Sequence, residues 1–175
     1  MCDTSVIEDI YDSNYGVDKS NNIHETAIIY PGVVLGKNNV IGAYSVIGSN
    51  GEIRGKKEFF GKVIIGDNNV ISEHVTIQKP SEASSITKIG NNCLIMAHSH
   101  VGHDAQIGDN CEISTGTIIG GYAKIGDGVK IKLGVTIRNR KAIGKNATIG
   151  MGAVVVKDVE ENQIVVGNPA KELKK

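Results

Sequence analysis

One interval governs this sequence. Stepping six residues at a time from Ile23 reaches Val155 in 23 positions, of which 21 are Ile, Leu or Val; the exceptions are Phe59 and Ala83. An α-helix cannot use that spacing, because residues six apart lie far round a turn of 3.6 residues. Two residues before the aliphatic the chain is usually small, as at Ala27, Ser45, Val63, Cys93, Ser99, Ala105, Cys111, Thr117 and Ala123. A period of two therefore nests inside the period of six. That is the mark of short strands whose large and small residues both point inward. Glycine, Asn and Asp follow the aliphatics and supply corners where φ turns positive. Three such strands close a triangular coil of eighteen residues, and coils stack about 4.8 Å apart through parallel backbone hydrogen bonds. The predicted fold is all-β, a parallel β-helix of hexapeptide repeats.

The phase also locates interruptions. The phrase Ile-Gly-x-Asn, or a near variant, begins at residues 89, 107, 125 and 143, in steps of eighteen, whereas the earlier copies at 35 and 65 give steps of 30 and 24. The excess predicts outward loops near residues 49–61 and 79–86, both polar. Asn39, Asn69, Cys93, Cys111, Val129 and Ala147 then form one inward column, in which the cysteines are small core residues. The predicted layout is a tail or cap over 1–20, the β-helix over 21–160 and a C-terminal cap over 161–175. A core with aromatics at only 4% must be built from branched aliphatics, as a repeat stack is.

Nineteen basic and nineteen acidic residues leave no net charge to hold nucleic acid. No apolar run reaches the roughly 18 residues of a membrane span, and the N-terminus lacks a signal-peptide pattern. A cytoplasmic protein is expected.

Counting by eighteens places Ser49, Lys79, His103, Gly121, Asn139 and Lys157 at one corner, where both loops also leave the helix. Loops that interrupt a regular scaffold on one side build sites there. His103 lies in LIMAHSHVGHDAQIG with His98, His100 and Asp104. An imidazole can take a proton from a nucleophile and return one later. The Gly121 N–H, one coil along and within about 5 Å, could stabilise an oxyanion. Alternatively these are solvated corner histidines, and His98, one coil beyond His74 at another corner, is structural or a subunit contact. In the first loop, Arg54, Lys56 and Lys57 beside Phe59 and Phe60 suit the base and diphosphate of a nucleotide-sugar. The alternative is a solvated loop whose Phe pair packs down, Phe59 first because it keeps the aliphatic phase. Lys79 adds a cation at the corner itself.

With IHETAIIYPGVVLG, IGDNNVISEHVTIQKP and HSHVGHDAQIGDNC in view, the chain resembles the hexapeptide-repeat acyltransferase superfamily, and within it the UDP-N-acetylglucosamine O-acyltransferases. The resemblance implies a left-handed helix, a homotrimer with sites between subunits, His103 as general base, His100 as supporting histidine, Asp104 as orienting group and Gly121 as backbone donor. Gln78 stands where those enzymes show a histidine. The closing stretch IVVGNPAKELKK is instead similar to that of acetyl-CoA-dependent sugar-nucleotide acetyltransferases, whose Asn-Pro-Ala-Lys loop lies beside coenzyme A. Asn168 falls in that loop, Gly121 and Asn139 would flank pantetheine, and Lys157, Lys171 and Lys145 are candidates for the CoA phosphates. The expected function is acetyl transfer from acetyl-CoA to a hydroxyl or amine of a nucleotide-linked sugar, with no permanently bound cofactor. The rivals are an acyl-carrier-protein-dependent UDP-sugar acyltransferase, a non-catalytic assembly module, and a metalloenzyme similar to the γ-class carbonic anhydrases. The last is suggested by His98 and His103, but Lys79 makes a poor neighbour for a cation, so no metal is expected.

Overall fold

The computed structural model describes residues 18–173. The N-terminal cap expected over 1–20 lies almost wholly outside them, as does Cys2. Among the described residues there is no helix. Short strands stack into three sheets, the faces of a prism. The first face begins at Asn22–Ile23, the second at Ile28–Ile29 and the third at Val33–Leu35. Apart from one bulge and the last strand of the first face, the pairing is parallel and in register, as in the series Val101, Ile119, Ile137 and Val155 on the second face. The coils wind left-handed.

The core is the inner edge of the six-residue count. Ile41, Ile47, Ile65, Ile71, Ile77, Ile89, Ile95, Ile107, Ile113, Ile119, Ile131 and Ile137 are all sealed from solvent. Each contributes roughly 1.5–3 kcal/mol by burial. β-Branched residues suit the work, since their stiff χ1 fits a pleated surface. One inward column is polar at its start. Asn69 Nδ2 donates to Asn39 Oδ1 at 3.0 Å, and Cys93 N–H donates to Asn69 Oδ1 at 2.8 Å. The Cys93 and Cys111 thiols then donate to the carbonyls of Gly108 and Gly126 at 3.1 and 3.2 Å. The cysteines are thus small core residues with their polar atoms satisfied.

The two long steps correspond to outward loops. Val33 pairs with Val63, and Ile65 with Ile89, so the excess residues leave the helix over 50–61 and 79–85 and rejoin it in phase. Two details depart from strict counting. Gly48, at φ 86°, forms a bulge that sets Ser49 opposite Gln78 instead of Lys79. The helix also runs one rung past residue 160. Ile164–Val166 pairs with Thr148–Ile149 and Val165 sits against Ile149, a step of sixteen that the six-residue count misses. Lys171–Glu172 then folds back antiparallel on that rung.

Candidate active site

At the corner between the second and third faces the chain runs His100–Val101, Gly102, His103, Asp104, and on into Gln106–Ile107. Asp104 takes φ 60°, a left-handed conformation that Asp tolerates because its short side chain bonds locally. That turn carries its carboxylate back to the preceding imidazole. His103 Nδ1 lies 2.9 Å from Asp104 Oδ2. The same oxygen accepts the Ser81 N–H of the second loop at 2.9 Å, and the Asp104 N–H donates to Thr87 Oγ1 at 2.9 Å. Burial pushes the Asp104 carboxyl up, but hydrogen bonds from Ser85, His103 and Ser81 outweigh it and hold the group below its ordinary value. An ionised carboxylate only accepts, so in the neutral ring the proton sits on Nδ1 and the Nε2 lone pair is left free.

The ring is wedged on every side. Tyr122 meets it edge-on at 5.0 Å between centroids, and Phe59 of the first loop lies tilted at 6.5 Å. Its plane rests on Gly121, where an added Cβ would stand 2.7 Å from both Cε1 and Nε2. A Cβ at Gly51 of the first loop would lie 3.1 Å from His103 Cβ and 2.6 Å from Phe59 Cε1. The His103 N–H reaches Gln78 Oε1 at 3.3 Å, so Gln78 holds the backbone of this turn. Gly121 accepts the Arg140 N–H at 2.9 Å, while its own N–H has no acceptor among the described residues.

His100 points outward from the second face. Its Nδ1 lies 2.8 Å from Thr76 Oγ1. Burial lowers its pKa, which the Glu52 carboxylate partly reverses and His103 reinforces, so the ring is neutral near pH 7. His98 faces a different corner, where it stacks on His74 at 4.8 Å and His74 on Tyr44 at 5.2 Å. Among the described residues no three His, Cys, Asp or Glu side chains cluster to hold a metal ion.

The candidate loop residues divide. Lys56 pairs with Glu82 at 2.6 Å, tying the first loop to the second, and lies 5.7 Å from the Phe59 ring centre. Phe59 is buried, whereas Phe60 and Arg54 are exposed. Lys79 turns away from His103 toward Tyr30, 5.8 Å from that ring's centre. Asn139, Lys157, Asn168 and Lys171 are all exposed. Lys157 and Lys171 share a groove of about 310 Å³ with Pro169 and Ala170. Two coils separate Lys157 from Gly121, or about 10 Å. Four residues that sequence reasoning passed over complete the shell: Ser81, Thr87, Tyr122 and Gly51. Tyr122 had a signal, since it lies eighteen residues beyond Asp104. Ser81 had none, because its loop lies outside the repeat.

Comparison with known proteins bears on the fold and the family. Residues 86–121, which contain the dyad and Gly121, match the bacterial transferase hexapeptide (six repeats) family. An acyl-[acyl-carrier-protein]--UDP-N-acetylglucosamine O-acyltransferase of Rickettsia canadensis is 34% identical, over 49% of this chain and 46% of its own. The chain spans about half the length of the curated relatives it matches. Among solved structures, a UDP-N-acetylglucosamine acyltransferase from Bacteroides fragilis superimposes with a TM-score of 0.85 at 32% identity, covering 88% of this chain and 60% of that one. The UDP-N-acetylglucosamine O-acyltransferase of Moraxella catarrhalis gives 0.69 at 30% identity, covering 89% and 70%. With the six-residue repeat and these likenesses in agreement, the chain belongs to the hexapeptide-repeat acyltransferase superfamily.

Proposed function

We propose that the protein transfers an acyl group from a thioester to a hydroxyl or amine of a UDP-linked amino sugar. The observation that carries this reading is the bare Nε2 of His103, on a ring fixed by Asp104 and pressed against Gly121, whose N–H is free. In the proposed reaction Nε2 removes the acceptor proton as that atom attacks the thioester carbonyl. The Gly121 N–H supports the tetrahedral oxyanion, which collapses with cleavage of the carbon–sulfur bond. The imidazolium proton then passes to the leaving thiolate. Asp104 keeps the ring in the required tautomer and stabilises the transient cation. Neutral His100 adds no competing charge beside it.

Relatives that are 31–36% identical use acyl carrier protein by name, which favours a carrier-protein donor over the free acetyl-CoA first expected. The acetyl-CoA reading keeps one support, the Asn168-to-Lys171 turn beside Lys157. The resemblance also supports a homotrimer. The outward row of the second face, from Ile28 through Val46, Thr76, His100, Ile118 and Thr136 to Val154, has no residue charged at neutral pH and suits packing between copies.

The test is turnover of UDP-N-acetylglucosamine with acyl-carrier-protein and acetyl-CoA thioesters, comparing the native chain with His103→Ala. A fall of about 10²–10⁴ is expected for loss of a general base. Unchanged turnover would remove His103 from the mechanism, and turnover with neither donor would sink the reading.

A further inference from the structure

On the third-face side of the same corner a groove of about 680 Å³ opens between the second loop and the coils that follow. Its lining includes Ser84, Ser85, Tyr122, Lys124, Arg140 and Lys141. Among its described lining residues the sole acid is Asp104, whose Oδ2 is already occupied by the Ser81 N–H and His103. Lys141 pairs with Asp158 at 3.1 Å, but Arg140 and Lys124 have no ion-pair partner among the described residues. The groove therefore carries two cations, Arg140 and Lys124, without an ion-pair partner among the described residues.

Arg140 is fixed by its turn and by a neighbouring ring. Its backbone is left-handed, at φ 62°. Asp104 and Tyr122 are left-handed at the same corner of the preceding coils, where other corners often use Gly or Asn, and a longer side chain adopts that backbone at a cost. Such a residue persists where the surroundings determine it and tends to mark a site. Its guanidinium lies over the Tyr122 ring, 4.1 Å from the centroid. That ring is pinned in turn by a 2.6 Å hydrogen bond between its hydroxyl and Ser81 Oγ, and by its edge contact with His103. Stacking fixes the plane of the guanidinium and leaves its N–H edge unspent, the arrangement that takes a phosphate bidentately.

We propose that Arg140, with Lys124 and Lys141, forms a phosphate-ester subsite beside the His103–Asp104 dyad. The assignment rests on the acyl-transfer reading only for the candidate ligands. A diphosphate enters with a nucleotide-sugar acceptor, and a phosphate ester with a phosphopantetheine-bearing donor. The volume suits either.

The test is isothermal titration of the full chain with UDP-N-acetylglucosamine, with coenzyme A and with inorganic pyrophosphate, comparing native protein with Arg140→Gly and Arg140→Lys. Arg140→Gly removes the guanidinium and relieves the left-handed backbone, so it is expected to melt at or above the native temperature. Its affinity for pyrophosphate should fall tenfold or more, together with that for at least one of the two larger ligands. Arg140→Lys, which keeps charge but loses the fork, should fall between. Loss confined to UDP-N-acetylglucosamine assigns the subsite to the acceptor, and loss confined to coenzyme A to the donor. Unchanged affinities in Arg140→Gly, or no binding of any of the three by the native chain, would overturn the proposal. Such a failure is separable from failure of the acyl-transfer reading, which is judged by turnover in His103→Ala.

Discussion

Replacing Gly121 by alanine isolates the closest contact of the site. Gly121 does not occupy the left-handed region, so alanine is permitted there and the whole cost is steric. The new Cβ would stand 2.7 Å from His103 Cε1 and Nε2, whereas an ordinary contact needs at least 3.4 Å, so the ring must retreat by 3.4 minus 2.7, or 0.7 Å. Retreat is opposed by Phe59, by the Tyr122 edge and by the 2.9 Å bond to Asp104. Overpacking of this kind costs about 1–3 kcal/mol, and loss of glycine's freedom in the unfolded chain returns about 0.4–1 kcal/mol. The net is a destabilisation of up to about 2.5 kcal/mol, or a melting temperature lower by up to about 10 °C at about 2–4 °C per kcal/mol. A displacement near 1 Å at a reacting group costs about 100-fold in rate. Gly121→Ala should therefore remain folded, by circular dichroism melting, while kcat/KM measured by thiol release falls about 100-fold. Gly116→Ala is the control. At φ 72° with open space around its Cβ, it should lose about 1–2 kcal/mol of stability and no activity. If Gly121→Ala keeps kcat/KM within threefold of native, the imidazole is not confined as described.

Three further outcomes are expected. Asp104→Asn suits the left-handed backbone but reverses the tautomer preference of His103, so kcat should fall by about 10²–10⁴. Because the folded Asp104 pKa lies below the unfolded value, its carboxylate stabilises the protein above about pH 4, and that contribution fades as pH falls through the folded value. Urea unfolding of Asp104→Asn should therefore show a shallower loss of stability on acidification than the native chain. Ile119→Ala removes a fully buried side chain and should cost about 2–5 kcal/mol in the same titration; a cost below 1 kcal/mol would contradict the tightly filled prism. Ile118→Lys puts a charge on the second face, which is 48% exposed at that residue in one chain. Light scattering should show a smaller particle than the native assembly, and an unchanged mass would show that this face is not the contact.

The aliphatic period made the prism legible because each coil repeats the same inward demand, and one strand therefore repeats the message of the last. The same counting aligned His103 with Gly121. The role of Asp104 as the group beside the ring came from the resemblance of the His-x-x-His-Asp stretch and not from the counting. The count did not reveal why residue 121 is glycine, since the need comes from the ring that rests on it and not from the local backbone. Ser81 was invisible for a related reason. It anchors Asp104 from a loop whose path is set by contacts such as Lys56–Glu82 and not by any repeat. The last rung escaped because Ile149 and Val165 are sixteen apart, two residues short of the count. The count stacked Lys79 on Ser49, but the bulge at Gly48 sets Gln78 there, and the Lys79 side chain lies near the Tyr30 ring, since chain position alone does not fix where a flexible four-carbon stem points.

The reversed strand Lys171–Glu172 has a consequence for solubility. A ladder of parallel, in-register rungs is a template for fibrillar growth, since its open edge offers a row of unsatisfied amides to any similar chain. On the first face that edge is occupied by a segment of opposite polarity carrying two exposed charged residues. A second molecule arriving end-on to extend the stack would meet exposed Lys171 and Glu172 on a strand of reversed direction, so the parallel, in-register ladder does not simply continue there.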